Sequence, residues 1–247
     1  MGVLGHFLER EGIATTQISL IREHTEIIKP PRALWVPFEL GRPLGVPSDK
    51  DLQRQVLVAA LELLQAPEGP LLVDFVSQET APDGVAEPTV WACPVSFSSQ
   101  SDDMTDNEKL VDSFNREVSE LRNWYNIGLS KTGRTAVVHF DPGTASHLLS
   151  AYLLKGSKKT EETNMPFGVA LRLAAQDLKA FYFEAAIARP GTYLPDSETF
   201  NRWFWGDTAA GRILRGIRNR CRRETDKLLR MTGKMLLVPL GQEERER

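Results

Sequence analysis

The sequence predicts an α/β fold: a mainly parallel sheet with helices on both faces, followed by a mostly α-helical carboxyl-terminal region. Three observations predict it. Up to Val76, short apolar runs rich in β-branched residues alternate with stretches of helical periodicity, the pattern of strands joined by covering helices. Beyond Thr105 the apolar residues recur mostly at helical spacing. The chain of 247 residues, 41% hydrophobic and 26% charged, is long enough to bury one large core or two modest ones. We divide it into an α/β region over 1–104 and a mostly helical extension over 105–247.

Val3, Leu4, Phe7 and Leu8 share a helical phase, and Gly12 supplies a C′ position at which a helix stops. Thr15 to Leu20 and the apolar run Ala33 to Phe38, set off by Pro30, Pro31 and Pro37, read as two buried strands. Ser48 or Asp49 caps the next helix, whose stripe is Leu52, Val56, Ala59, Ala60 and Leu63. Leu71 to Val76 reads as a third strand. Gln78 to Asn107 is rich in proline, serine and acidic residues, as an irregular excursion would be, with Trp91, Cys93, Val95 and Phe97 alternating as in an edge strand. Thr105 and Glu108 have capping-box spacing, ahead of the stripe Leu110, Val111, Phe114, Val118, Leu121 and Tyr125. One more strand is expected at Thr135 to Phe140, then a polar loop over Gly156 to Asn164 and an apolar helix from Val169 to Ala188. Helices over Glu198 to Trp205 and Asp207 to Met231 complete the chain, and Gln242 to Arg247 reads as a frayed tail.

Charge and cysteine content exclude several classes. With 30 Lys+Arg against 33 Asp+Glu, the net charge of −3 gives nucleic acid no general attraction. No run approaches the roughly 20 apolar residues of a membrane span, and the amino terminus lacks the zones of a secretory signal, so neither membrane nor export is expected and the cytoplasm is the default location. Cys93 and Cys221 are far apart with no CxxC and no Cys/His cluster, which leaves a disulfide framework or a structural metal without support.

In a parallel sheet, ligands sit beyond the carboxyl ends of the strands. If the strands at Thr15 to Leu20 and Ala33 to Phe38 are parallel neighbours, the segments after them leave by the same edge. The first carries Arg22, Glu23, His24 and Glu26; the second carries Glu39, Gly41, Arg42 and Gly45. A histidine titrating near neutrality can pass a proton to a leaving amine, and an arginine fork can hold a carboxylate bidentately. His24 is therefore the candidate proton donor, and Arg42, Glu39, Gly41 and Arg22 the candidate substrate-binding residues. The bland alternatives are a solvated helical turn for Arg22, Glu23 and Glu26, and a loop-tying ion pair for Glu39 with Arg42.

Residues Gly12 to Gly45, GIATTQISLIREHTEIIKPPRALWVPFELGRPLG, resemble the selenoprotein B family of the glycine, sarcosine, betaine and D-proline reductases. The motifs are Gly-Ile-Ala-Thr before the first strand, the run Pro30-Pro31-Arg32-Ala33, and the loop Phe38 to Gly45. The likeness continues more weakly to about residue 76 as helix and strand pattern, and the second half carries no activity that transfers. The resemblance implies a Rossmann-like, thiol-driven reductase component that cleaves a carbon–nitrogen bond of a small amino acid or betaine-type substrate. It implies no cofactor, and it implies partner reductase subunits, with a homo-oligomer compatible with it. Family members carry selenocysteine or cysteine in the loop just before the helix matching Met1 to Gly12, where a helix amino terminus activates it as a nucleophile. That loop is not in the sequence, so the chain alone is expected to be nearly inactive. Met1 stands where a selenocysteine codon read as a stop would leave a false start. The competing reading is a non-catalytic small-molecule-binding or scaffolding protein of the same fold.

The remaining candidates have structural readings. Cys93 has no cation or second cysteine beside it, and Cys221 falls in phase with Leu214, Ile217, Leu228 and Leu229 as a core residue. His6, His139 and His147 lack partners at ligand spacing. Arg212, Arg215 and Arg222 read as the solvated face of a surface helix. Trp203, Phe204 and Trp205 read as core, since three consecutive aromatics cannot share one helix face.

Overall fold

The computed structural model describes residues 2–38, 40–45, 49–76, 104–159, 165–189, 197–239 and 242. The expected edge strand around Trp91 to Phe97, Cys93 and nearly all of the expected tail lie outside them. Contacts group the chain into two compact units, residues 1–89 with 196–198 and residues 90–195 with 199–247.

The first unit is α/β. Helix α1 (Gly2–Arg10) ends at Gly12, whose φ of 78° is the left-handed conformation glycine adopts freely. Strand β1 (Gln17–Ser19), helix α2 (Arg22–Ile28), strand β2 (Arg32–Trp35), helix α3 (Lys50–Glu62) and strand β3 (Leu71–Asp74) follow. Asp49 starts α3 by accepting the Leu52 N–H at 3.0 Å, and Val56 and Ala60 are its buried residues. The sheet has the order β1-β2-β3 and is parallel throughout, with Ile18 beside Leu34 and Leu34 beside Val73. Ala33, Leu34 and Val36 at its centre are fully buried.

The amino end of β2 is tied by a buried arginine. Arg32 donates Nε–H and an Nη–H to the Ala66 carbonyl and its other Nη–H to Glu9 at 2.7 Å. Glu9 also accepts from the Thr15 amide and hydroxyl, and the Thr15 amide above all lowers its carboxyl pKa. The segment before β3 passes close to the prolines that precede β2. A Cβ on Gly69 would stand 2.1 Å from the Pro31 carbonyl oxygen, which itself accepts the Leu71 amide at 3.0 Å. Gly69→Ala must therefore push β3 off β2, an overpacking cost of about 1–3 kcal/mol. A lowered denaturation midpoint for the first unit is the expected result, and an unchanged one would contradict this packing.

The second unit is helical. Helices α4 (Asp106–Thr132), α5 (Pro142–Lys155), α6 (Phe167–Ile187), α7 (Ser197–Gly206, whose first two residues group with the first unit), α8 (Ala209–Arg222) and α9 (Lys227–Met235) enclose one continuous apolar core. Thr105 and Glu108 form the expected capping box of α4, and Val111, Phe114, Val118, Leu121 and Tyr125 are its buried stripe. Trp203, Phe204 and Trp205 are all buried, with Phe204 edge-on to Tyr182 at 5.4 Å and to Trp205 at 5.0 Å.

Three expectations for this unit are corrected. Thr135 to Phe140 is not a strand, because carboxylates of α6 take its amides: Asp177 accepts from Val138, His139 and Phe140 at 2.8–3.0 Å, and Glu184 accepts from Ala136 at 2.8 Å. Helix α5 was not anticipated, although Asp141-Pro142 and Gly156 are its start and stop signals: Asp141 caps the Gly143 and Thr144 amides, and Gly156 has a φ of 64°. Asp207 to Met231 is not one helix. It breaks after Arg222, and Asp226 starts α9 by accepting the Leu228 and Leu229 amides. The turn lets α9 cross α8 closely, since a Cβ on Gly233 would lie 2.5 Å from that of Cys221.

The solvated arginine face of α8 is also only partly found. Arg212 and Arg222 are exposed, but half-buried Arg215 donates to the Trp205 carbonyl at 2.7 Å. Arg220 donates to the Leu153 carbonyl at 3.1 Å and lies over the Tyr152 ring. These guanidiniums satisfy carbonyls at the carboxyl ends of neighbouring helices, where the helix dipole favours a cation. Among the described residues no helix is long and apolar enough to cross a membrane.

Candidate functional site

Parallel pairing sends the chain out of β1, β2 and β3 at one edge. Helix α2 begins there after β1 and carries Arg22 and His24; the segment after β2 carries Gly41 and Arg42. Why α2 starts where it does is local chemistry. The Thr25 hydroxyl donates to the Ile21 carbonyl at 2.9 Å and also meets the Ser19 hydroxyl, so buried Thr25 holds the first turn against the end of β1.

Arg22 spans the edge. Its Nε–H donates to Glu26 at 2.9 Å, an Nη–H donates to Asp74 at the end of β3, and the guanidinium lies 5.6 Å from the centre of the Trp35 ring at the end of β2. The hydrogen bond to Asp74 is the main reason its pKa is raised further. One arginine from the α2 turn thus ties the ends of all three strands together, with its charge shared between two carboxylates. Asp74 and Trp35 are the edge residues that sequence reasoning missed. A cation between two acidic side chains is a signal only once the strands are known to be neighbours.

His24 is exposed on α2. Arg42 is half-buried in a turn closed by the Gly45 amide, which donates to the Arg42 carbonyl at 2.9 Å. Gly41 is exposed with a φ of 89°, and no atom lies within 4 Å of where its Cβ would be, so only the backbone conformation calls for glycine. Gly45 combines a φ of 80° with contact: a Cβ there would meet Leu52 at 2.7 Å and Phe38 at 3.3 Å. Glu39 lies outside the described residues. The segments leaving this edge thus carry an exposed His24 on α2 after β1 and a half-buried Arg42 in the turn after β2.

A thiol at this edge is not among the described residues. Cys221 is fully buried in the second unit, its Sγ 3.5 Å from the Tyr152 hydroxyl, and burial above all raises the pKa of its thiol. Such a group is a poor nucleophile at neutral pH. Alkylation of the native chain by iodoacetamide is accordingly expected to spare Cys221 until the second unit unfolds, as read by peptide mass after brief labelling; rapid labelling would contradict its burial. No cluster of three or more His, Cys, Asp or Glu able to hold a metal ion occurs among the described residues.

Comparison with family models, with curated proteins and with solved structures finds no match.

Proposed function

We propose that this chain is a component of a thiol-dependent reductase of the glycine, sarcosine, betaine and D-proline reductase type, acting on a small amino acid or its N-methylated derivative. The observation that carries the reading is the parallel pairing of β1 with β2, which brings the segments bearing His24 and Arg42 out at one edge of the sheet. In this reading the three strands belong to a Rossmann-like sheet with helices on both faces, in a cytoplasmic enzyme with partner subunits. Arg42 holds the substrate carboxylate, Gly41 lets the loop approach it, Glu39 is a further substrate-binding residue, and His24 supplies a proton to the departing amine. Arg22 keeps the edge in shape. Reductive cleavage consumes two electrons and two protons, and the electrons come from a thiol or selenol of the reductase assembly. Neither Cys221 nor any described side chain fills that role, so the chain alone falls short of the assembled enzyme by on the order of 10⁴–10⁶ in rate.

The burial of Cys221 equally suits a second reading, a non-catalytic binding or scaffolding protein of the same fold. One experiment separates the two. Glycine, sarcosine, betaine and D-proline are added to the chain with and without excess dithiothreitol and cell extract, and thermal midpoint and C–N cleavage are followed, the latter as amine release or, for D-proline, as ring opening to a primary amine. Stabilisation that Arg42→Gln abolishes, together with dithiol-dependent cleavage only in the presence of extract, is the result expected of a reductase component. Stabilisation with no turnover in either condition makes it a binding protein. No stabilisation by any of the four sinks the proposal.

A further inference from the structure

A cleft of about 340 Å³ opens on the second unit between α4, the segment 137–140 and the start of α5. Arg122, Tyr125 and Asn126 line one wall, and Val137, Val138, His139, Phe140, Asp141 and Pro142 the other. Its volume lies at the lower end of the range of about 300–1,000 Å³ usual for small-molecule sites.

The cleft is a constructed feature. The wall 137–140 is not paired in a sheet: it bends so that three successive amides converge on buried Asp177. Asp177 also orients the histidine: the His139 Nδ1 edge faces its Oδ2 at 3.7 Å, so Nε2 lies on the far edge of the ring. Across the cleft, Arg122 and Asn126 are one helical turn apart and therefore on one face of α4. Arg122 reaches over the first turn of α5, where Gly143 leaves room; a Cβ there would stand 2.8 Å from an Arg122 Nη. Among the described residues its only charged contact is Asp141 at 3.7 Å. Asp141 is already engaged, accepting from the Gly143 and Thr144 amides and the Thr144 hydroxyl as the cap of α5.

The chemistry selects the ligand. Arg122 presents a planar fork of N–H donors, of a shape that matches a carboxylate bidentately. Asn126 adds an amide donor within the same cleft, and His139 lines it opposite. Asp141 beside Arg122 and Asp177 beside His139 offset part of the positive field, which disfavours a dianion such as phosphate more than a single negative charge. At the rim, the Val138 side chain is 72% exposed, and Val137, Phe140 and Tyr125 continue an apolar wall behind it. The geometry points to a binding site for a small organic monocarboxylate with an apolar body, its carboxylate on Arg122 and Asn126 and its body against Val137, Val138 and Tyr125, with His139 beside it. This site is independent of the sheet edge.

The test is a titration of the full chain with benzoate, followed by the NMR signals of the histidine rings, with His139 assigned through His139→Gln. Benzoate is expected to shift the His139 signals saturably and to leave His24 unmoved, and benzamide, which has the same body without the charge, binds about tenfold more weakly. Arg122→Gln is expected to weaken benzoate by about tenfold at an unchanged thermal midpoint, since the side chain is exposed. Asn126→Ala is a second variant that should weaken binding without touching any ion pair. Absence of a saturable His139 shift overturns the proposal, as does equal binding by wild type and Arg122→Gln. Tighter binding of inorganic phosphate than of benzoate overturns the ligand class.

Discussion

Replacing Glu117 with alanine is expected to cost the second unit about 3–5 kcal/mol, because it strips a buried carboxylate from two helix-terminal amides and a phenol. Glu117 sits on α4 at 8% exposure and reaches the amino terminus of α8, where it accepts the Ala209 amide at 2.8 and 3.0 Å and the Ala210 amide at 3.3 Å. It also accepts the Tyr182 hydroxyl of α6 at 2.9 Å. The first amides of α8 are orphan donors, and the helix dipole adds to the attraction for a negative group there. Thr208 serves the next amide, accepting from Gly211 at 3.0 Å. Without Glu117 the first two amides of α8 lose their buried acceptor. A fall of roughly 10 °C in the midpoint of the second unit is the expected reading by calorimetry. A fall within a degree or two would show that water or neighbouring groups take over.

The same residue makes a signed prediction for pH. Burial pushes the Glu117 carboxyl above its ordinary value of 4.5, opposed by the Ala209, Tyr182 and Ala210 donors and by the charge of Arg212. A raised acid pKa means that the folded state keeps a proton the unfolded state has already lost. The contribution of this group is therefore full below the unfolded value of 4.5 and is lost as pH rises through the folded pKa. Glu117→Gln removes the titration. The difference in stability between wild type and Glu117→Gln should drift against wild type as pH rises from 4.5 towards neutrality. A flat difference, or one of opposite slope, would mean that the hydrogen bonds outweigh burial.

Much of the architecture is legible in the sequence where the determining interactions are local. The capping box of Thr105 with Glu108, the stop at Gly12 and the stripes of α3 and α4 depend on partners within a turn or two, and spacing displays them. The three short parallel strands are legible because they are apolar runs bounded by turn residues. What spacing does not display is where a long side chain ends. Arg22 looks like a solvated helical cation until β3 brings Asp74 beside it, fifty-two residues away, and Arg220 looks the same until it reaches the Leu153 carbonyl. The candidate edge was accordingly legible as a set of segments, through the rule that parallel neighbours share an exit. Its internal pairing, with Arg22 taken up by Asp74, Glu26 and Trp35, was not.

Asp177 is the sharper case, and its removal is the second large effect expected. Thr135 to Phe140 has the β-branched, alternating composition of a strand, and a sequence argument supplies a sheet to satisfy its amides. The structure satisfies them with the two oxygens of one buried carboxylate, aided by Glu184 two turns further along the same face of α6. A segment outside helix and sheet needs acceptors for its amides, not necessarily another strand, and an apolar helix with acidic residues seven apart can provide them. Asp177→Ala leaves three amides without an acceptor and a small void beside Phe140, at an expected cost of about 3–5 kcal/mol. The loss should be local before it is global. Amide hydrogen exchange at Val138, His139 and Phe140 is expected to accelerate by more than exchange at Glu117's partners in α8, because these three amides all depend on the one carboxylate. If those three amides exchange no faster than before while the unit remains folded, another acceptor holds the segment and the account of why it is not a strand fails. If they exchange faster and the His139 ring signals move with them, the buried carboxylate is what holds this wall of the cleft in place.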